Sequence, residues 1–134
     1  MQLKPFLLEF PAFGIEETGM LSVVENGFNA KLPFEIQRVV WTYNVPSGIN
    51  RGYLAHIQTG ELLIAVKGKM VVSTETLDGE QTQFVLDRPT IGLYVPPKTW
   101  HYVSYSEETF QLSLASHPYD ANDYVRDYKE FKKL

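Results

Sequence analysis

The order of apolar and polar residues divides most of the chain into short segments that predict β-strands. Runs rich in β-branched and aromatic residues alternate with turn residues such as Asn26-Gly27 and Asp78-Gly79. The predicted strands are Phe6–Phe10, Met20–Glu25, Phe34–Tyr43, Gly52–Ile57, Glu61–Lys67, Lys69–Thr74, Gln83–Leu86, Ile91–Val95, Trp100–Tyr105 and Thr109–Ser116. Because turns recur at intervals of about 8–12 residues, the pattern indicates an all-β sandwich or barrel.

Helical periodicity occurs only near the end of the chain. An apolar stripe with the spacing i, i+1, i+4 and i+7 consists of Tyr124, Val125, Tyr128 and Phe131. Asp120 or Asn122 is suited to cap such a helix at its N-terminus. Lys132 and Lys133 suit the negative end of its dipole. We therefore expect one α-helix over about residues 120–133, after the strands.

Length and composition indicate a single domain. The 134 residues suffice for one hydrophobic core but not for two. Hydrophobic residues make up 44% of the chain and charged residues 21%, which is ordinary for a soluble globular protein. Since the chain contains no linker, repeat or low-complexity segment, we expect residues 1–134 to form one domain.

Charge, cysteine content and hydropathy argue against several classes of function. The net charge of −4 gives no electrostatic reason to bind the backbone of a nucleic acid. The absence of cysteine excludes disulfides, thiolate zinc sites and cysteine nucleophiles. No stretch approaches the roughly 18 apolar residues of a membrane span, and residues 1–13 lack the continuous apolar region of a signal peptide. We therefore expect a cytoplasmic protein without a membrane segment.

Two motifs carry the candidate chemistry. Gly48 is followed by Leu54-x-His56, Glu61 and Gly68 at the spacing of the first motif of the cupin superfamily, and this stretch resembles that motif. The second cupin motif, Pro-x-Gly-x-x-His, resembles the stretch from Pro96 to His101, where lysine replaces the usual glycine at position 98.

The spacing of the first motif places residues 54 and 56 on one face of a strand. His56 and His101 come from different strands and can converge inside a barrel. Two imidazoles and the Glu61 carboxylate would suit either a divalent metal ion or proton transfer.

A narrower resemblance covers about residues 6–133. The chain resembles the sugar 3,4-ketoisomerases that act on dTDP-4-keto-6-deoxyglucose, which are related to the WxcM-like proteins of polysaccharide gene clusters. The segments that carry the resemblance are Arg51-Gly52-Tyr53-Leu54-Ala55-His56, Gly92-Leu93-Tyr94-Val95, Trp100-His101, Leu114-Ala115-Ser116 and Tyr119-Asp120-Ala121-Asn122-Asp123-Tyr124-Val125-Arg126. The resemblance implies a cupin fold, that is, a double-stranded β-helix or jelly-roll barrel, with a C-terminal α-helix packed outside, and a homodimer.

The resemblance also implies an activity in deoxysugar or surface-polysaccharide biosynthesis. The C4 ketone of a dTDP-sugar would move to C3 through an enediol, by histidine-mediated proton transfer without a metal or other cofactor. Carried onto this chain, the implied catalytic residues are His56 and His101, and the implied substrate-binding residues are Arg38, Arg51 and Trp100. Tyr43 is a further substrate-binding candidate, with packing in the core as the alternative.

The chain departs from the family pattern at three places. Leu54 replaces the first histidine of the motif pair, Thr18-Gly19 replaces an Arg-Gly pair, and Thr59-Gly60 replaces a Leu-Glu pair. Two alternatives to the ketoisomerase therefore follow. One is a sugar-nucleotide-binding cupin that lost catalysis with Leu54, and the other is a metal-dependent cupin that uses His56, Glu61 and His101.

Overall fold

The strands of the protein form two five-stranded antiparallel sheets and a separate hairpin. This computed structural model describes residues 3–27 and 31–134. The strands are β1 (Phe6–Glu9), β2 (Ala12–Ile15), β3 (Gly19–Ser22), β4 (Arg38–Thr42), β5 (Arg51–His56), β6 (Glu61–Lys67), β7 (Met70–Glu75), β8 (Gln81–Leu86), β9 (Ile91–Val95), β10 (Trp100–Tyr105), β11 (Phe110–Ala115) and β12 (Tyr124–Val125), and helix α1 spans Tyr128–Phe131. The all-β prediction is confirmed.

The order of strands shows how distant segments of the chain meet. The first sheet has the order β1-β9-β6-β11-β4 and the second has the order β12-β5-β10-β7-β8, while β2 and β3 pair only with each other. The two sheets pack face to face around a core to which both contribute. The two strands that carry the sequence motifs, β5 and β10, are neighbours in the second sheet.

The apolar core fills one part of the space between the sheets. Its buried side chains are Leu63, Ala65, Met70, Val72, Leu86, Ile91, Leu93, Val95 and Val103. Strand β6 shows how this core gives way to polar residues, because its inward-facing residues change from Ala65 and Leu63 to Glu61 along the strand. The remaining interior space is therefore lined by polar groups.

The outer face of the first sheet is covered by residues from the N-terminal part of the chain. Phe10 and Leu32 pack on Leu62, Ile64 and Leu114 there. Strand β6 is consequently buried on both faces, which explains why its sequence is a continuous apolar run without alternation.

The N-terminal part of the chain differs from the predicted strands, and the strand expected over Met20–Glu25 is observed at Gly19–Ser22. The strand expected over Phe34–Tyr43 begins only at Arg38, because the backbone of Ile36 is hydrogen-bonded to the side chain of Asn26 instead of a neighbouring strand. Strand β2 was not predicted, because Pro11 and Gly14 indicate a turn. Gly14 permits the pairing with β3, since a β-carbon at this residue would lie 2.3 Å from the backbone oxygen of Gly19.

The C-terminal helix is present but much shorter than expected. The prediction of a helix over about residues 120–133 is wrong before Tyr128: Ala121–Asp123 form one 3₁₀ turn, and Tyr124–Val125 pair with β5 as β12. The edge of β5 supplies the hydrogen bonds that a helix would have made internally. The helix begins instead at Tyr128, and its N-cap is Asp127, whose side chain accepts hydrogen bonds from the backbone N–H groups of Lys129 and Glu130.

Helix α1 packs outside the barrel through one buried side chain. Phe131 is fully buried against Trp100 and Ala55. Among the described residues, no helix has both the length and the apolarity that a membrane-spanning helix requires.

Candidate active site

Polar side chains from both sheets converge on a cavity of about 250 Å³ inside the barrel. Its titratable and charged lining residues are Arg38, Arg51, His56, Glu61, His101, Tyr105, Tyr124 and Arg126. Two larger hollows lie elsewhere: one of about 390 Å³ beside Trp100 and Tyr128, and one of about 630 Å³ beneath the β2–β3 hairpin. Neither contains a histidine, so the smaller cavity is the candidate active site.

Strand alternation explains which side chains reach the cavity. Leu54 and His56 of β5 both line it, as their spacing predicts. On β10, His101 faces the cavity and pairs directly with Leu54 across the ladder.

The approach of β5 to β10 depends on Gly52. The register of the two strands shifts between His101 and Tyr102, and Gly52 has a φ of +106°. A β-carbon at Gly52 would lie 2.9 Å from the backbone oxygen of His101. Glycine therefore allows the backbones to come close at the point where His101 enters the site.

His56 lies between two carboxylates. Its side chain is 5% exposed, and its Nε2 atom lies 2.9 Å from Oε1 of Glu61. On the other side of the ring, Nδ1 lies 3.2 Å from Oδ2 of Asp123. No described residue forms an aligned hydrogen bond with Nδ1, so this second contact is a close approach without a hydrogen bond.

Both carboxylates are held in their charged form. Burial by itself would raise the pKa of Glu61, but the hydrogen bond and charge of His56, together with the charges of His101 and Arg38, hold it below its usual value. Burial opposes ionisation of Asp123 as well. There, hydrogen bonds from the Thr59 hydroxyl and the Gln58 N–H, with the charge of His56, keep the pKa below its usual value.

Asp123 joins the C-terminal segment to the turn that follows β5. Its carboxylate accepts hydrogen bonds from the Gln58 N–H at 2.7 Å and from the hydroxyl of Thr59, and its backbone oxygen accepts one from the Ile57 N–H at 2.9 Å. Because its side chain is only 3% exposed, Asp123 is fixed behind the imidazole of His56.

His101 is the second buried imidazole of the cavity. It is 6% exposed, and its Nδ1 atom lies 3.4 Å from the backbone oxygen of Thr99. Burial lowers the pKa of His101; the charge of Glu61 opposes this shift, and that of His56 reinforces it. His101 is therefore a neutral imidazole at neutral pH, able to accept a proton.

Arginines give the cavity a positive side. Arg38 is half-buried and donates a hydrogen bond from Nη1 to the hydroxyl of Tyr124 at 3.3 Å. Its buried Nε has no acceptor among the described residues. The guanidinium of Arg126 lies 4.9 Å from the ring centre of Tyr124, and the side chain of Arg51 is exposed at the rim. These cations suit a phosphate or diphosphate.

Comparison with known proteins identifies the family. The model of the FdtA family, described as WxcM-like, C-terminal, matches residues 4–134. The chain belongs to the FdtA family. A TDP-4-oxo-6-deoxy-alpha-D-glucose-3,4-oxoisomerase of Aneurinibacillus thermoaerophilus is 36% identical over 121 residues, which are 89% of this chain and 84% of that protein.

Solved structures of similar proteins show the same fold. A 3,4-ketoisomerase from Helicobacter canadensis superimposes with a TM-score of 0.89 at 30% identity, covering 98% of this chain and 97% of that one. The sugar 3,4-ketoisomerase QdtA from Thermoanaerobacterium thermosaccharolyticum, in complex with TDP, gives a TM-score of 0.90 at 30% identity, covering 99% and 95%. A mutant of QdtA is in complex with TDP-4-keto-6-deoxyglucose. The predicted cupin fold is confirmed.

Four of the six predicted site residues of this FdtA-family protein meet in the cavity: His56, His101, Arg38 and Arg51. The structure does not bring Trp100 and Tyr43 there. Trp100 neighbours His101 on β10 and therefore faces the opposite side, where it packs against Tyr128 and Phe131. Tyr43 follows Thr42, the last cavity residue of β4, and its 55% exposed ring stacks on Phe110.

The geometry does not favour the metal-dependent alternative. Within residues 3–27 and 31–134, no three histidine, aspartate or glutamate side chains are arranged as ligands of one metal ion. His56, Glu61 and His101 therefore do not form a metal-ligand cluster among the described residues.

Sequence reasoning missed the contribution of the C-terminal segment to the site. Asp123, Tyr124 and Arg126 lie in the stretch that most strongly resembles the family, so the signal was present. The segment was interpreted as a helix, and a helix does not bring these residues to the cavity. Pairing of β12 with β5 places Tyr124 beside His56, with ring centres 4.6 Å apart.

Proposed function

We propose that this FdtA-family protein is a sugar-nucleotide 3,4-ketoisomerase that acts on a TDP-4-keto-6-deoxyhexose. The observation that carries the proposal is the meeting of two buried imidazoles, His56 and His101, with Arg38 and Arg51 in one cavity. The relatives' activity and the TDP-sugar bound to a mutant of QdtA support the choice of substrate.

The reaction needs groups that move protons inside a water-poor site. A ketone moves from C4 to C3 when the proton on C3 is removed, an enediol forms, and C4 receives a proton. Histidine is suited to both transfers because its pKa lies near neutrality. In this protein His56 and His101 enter from neighbouring strands and face the same space, so we place the proton transfers at this pair and the groups in contact with it.

The size of the cavity indicates how the substrate is oriented. At about 250 Å³ it is smaller than the pockets of roughly 300–1,000 Å³ that enclose drug-sized ligands. We therefore place the sugar ring inside, with the diphosphate at the arginine-lined rim. Arg38, whose buried Nε has no acceptor among the described residues, and the exposed Arg51 are the proposed diphosphate ligands.

The first test of this function is binding. Calorimetric titration with TDP is expected to show a selective interaction, with UDP as the control nucleotide. Incubation with TDP-4-keto-6-deoxyglucose, followed by NMR, is then expected to show the 3-keto product. No detectable binding of TDP contradicts the proposal. Binding without turnover instead supports the non-catalytic alternative, in which case Leu54→His is the variant to assay for restored activity.

The cellular setting is part of the same proposal. We place the protein in the cytoplasm as a single-domain homodimer of deoxysugar or surface-polysaccharide biosynthesis. Support for the dimer comes from exposed apolar side chains on β4 and on the β2–β3 hairpin, among them Val39, Trp41, Phe13 and Ile15.

A further inference from the structure

Glu61 is a titratable residue of the cavity to which the scheme above gives no function. Glu61 lies at the start of β6, and its side chain lines the cavity beside His56. Leu54, which faces the same space, cannot carry a proton. Isomerisation nevertheless requires a group that can reach the proton on C3 of the sugar and accept it. The carboxylate of Glu61 is a candidate for that group because it lines the cavity.

The surroundings of His56 leave neither of its ring nitrogens facing open space. Nε2 faces Glu61 at 2.9 Å and Nδ1 faces Asp123 at 3.2 Å. The imidazole is 5% exposed, whereas the side chain of Glu61 is 14% exposed. Of this contacting pair, the carboxylate is therefore the group with more surface available to a bound sugar.

The charges around Glu61 keep its carboxylate ionised, and therefore free to take up a proton. Although burial raises its pKa, His56, His101 and Arg38 hold that pKa below its usual value, so the group is ionised at neutral pH. Once a proton arrives, burial favours the neutral form, and the adjacent imidazole can exchange a proton with it over hydrogen-bond distance.

We propose that Glu61 is the catalytic base that removes the proton from the sugar carbon, with His56 as its proton partner and Asp123 as the residue that positions His56. This inference rests on the proposed ketoisomerase function and identifies the carboxylate, rather than an imidazole, as the group that touches the reacting C–H bond.

The proposed step conserves every atom and electron of the sugar. The C3–H bond breaks, its proton bonds to Glu61, and its electron pair becomes the C3=C4 double bond. The former C4=O electron pair moves to O4, and neutral His101 takes the proton from O3–H and passes it to O4, so that the negative charge moves from O4 to O3. The O3 electron pair then forms C3=O as Glu61 delivers its proton to C4.

The test compares Glu61→Gln with the wild-type protein. Turnover of TDP-4-keto-6-deoxyglucose is expected to fall by roughly 10²–10⁴-fold, the usual contribution of a positioned base, while the Kd for TDP changes by less than about threefold. Glu107→Gln is the matched control, since Glu107 is exposed in the turn after β10, and it is expected to retain wild-type turnover. A Glu61→Gln variant with turnover within about threefold of wild type overturns the inference.

Chemical rescue separates a base from a merely structural carboxylate. Formate added to Glu61→Ala is expected to restore part of the turnover, whereas chloride at the same concentration is not. If the Gln or Ala variant loses its fold, Glu61→Asp decides the question: it keeps a carboxylate and is expected to turn over faster than any variant without one. A folded Glu61→Asp variant as inactive as the folded Glu61→Gln variant, or a folded Glu61→Ala variant that formate leaves inactive, overturns the inference.

The same assays distinguish failure of the proposed function from failure of the assignment of Glu61. A wild-type protein that does not isomerise the sugar removes the function, and the inference with it. A wild-type protein that isomerises the sugar while Glu61→Gln does so equally well removes only the assignment of Glu61.

Discussion

Glu61, His56 and Asp123 are buried side by side, and their mutual contacts lower the free-energy cost of burying each of them. Isolated, the carboxylate of Glu61 or Asp123 would lose its hydration without compensation. Placed on opposite sides of His56, both gain an imidazole partner, and Asp123 gains the donors of the turn after β5 as well. Removal of one member is therefore expected to affect the other two.

Asp123→Asn tests this dependence. The amide keeps the shape of the side chain but removes its charge, so His56 is expected to lose its orientation. We expect kcat to fall at least tenfold with little change in KM, and stability to fall by roughly 1–3 kcal/mol. Steady-state kinetics and urea denaturation measure the two effects. Asp87→Asn, at an exposed residue, is the control, and an unchanged kcat in Asp123→Asn would contradict the positioning role.

Lys98 adopts a constrained backbone conformation in the turn before β10. It occupies the position where glycine is usual in the second cupin motif, and it has a φ of +59°. Its N–H donates a hydrogen bond to the backbone oxygen of His56 at 2.6 Å. This hydrogen bond links the two motifs. Because Lys98 has a β-carbon, its left-handed conformation is strained.

Lys98→Gly is expected to stabilise the protein by about 0.5–1 kcal/mol. Relief of the left-handed conformation, worth about 1–2 kcal/mol, exceeds the added entropy of the unfolded chain, which is about 0.4–1 kcal/mol. Urea denaturation measures the change. Lys98→Ala keeps the β-carbon and is expected to show no comparable gain; an equal gain there would mean that the backbone is not the cause.

At the scale of elements, the C-terminal helix is attached through one buried carboxylate. Glu75 of β7 accepts hydrogen bonds from the hydroxyl of Tyr128 at 2.6 Å and from Nζ of Lys132 at 3.0 Å, and its other oxygen accepts one from Gln81 at 3.1 Å. A four-residue helix is too short to be stable alone. Its position therefore depends on these contacts and on the packing of Phe131.

The attachment of the helix is expected to weaken in acid. Burial opposes ionisation of Glu75, but the hydrogen bonds from Tyr128, Lys132 and Gln81 hold its pKa below the ordinary 4.5. A depressed pKa means that the stabilisation is complete above the unfolded value and is lost as the pH falls below about 4.5.

Glu75→Gln should remove this pH dependence. At pH 7 the variant is expected to be less stable by roughly 1–2 kcal/mol, a value reduced for the solvent exposure of Lys132. Between pH 5 and pH 3 the difference from wild type should shrink. Melting temperatures across this range measure it, with Glu107→Gln as the control, and a constant difference at all pH values would argue against the assignment.

At the scale of the whole molecule, a large amount of apolar surface lacks a covering element within the described residues. Trp41 on the edge strand β4 is 56% exposed, and Ile15, Met20 and Leu21 on the β2–β3 hairpin are similarly exposed. Exposed edges and apolar patches of this kind are typical of subunit interfaces.

The proposed dimer predicts the effect of a charge at this surface. Light scattering coupled to size exclusion is expected to give twice the mass of one chain for the wild type and a lower mass for Trp41→Glu. Val85→Glu is the matched control, because Val85 is also exposed but lies on β8 of the other sheet. A wild-type protein of monomer mass at micromolar concentration would sink the dimer proposal.

The sequence by itself determined the fold class, and it singled out His56 and His101, which meet in the candidate site. Alternating or apolar runs between turn residues predicted β6, β9 and β10 with their observed bounds. Period-2 geometry then placed residues 54 and 56 on one face. The same alternation, applied to β10, places Trp100 and His101 on opposite faces of the sheet, so only one of them can line the cavity.

Tertiary structure decided what the C-terminal segment became and which groups surround His56. The stripe of Tyr124, Val125, Tyr128 and Phe131 suits a helix locally, but the open edge of β5 offers backbone hydrogen bonds that favour a strand at Tyr124–Val125. That pairing places Asp123 beside a histidine that is distant in the sequence. Local periodicity contains no information on which edge a segment will meet, so only the folded chain places Asp123 at the site.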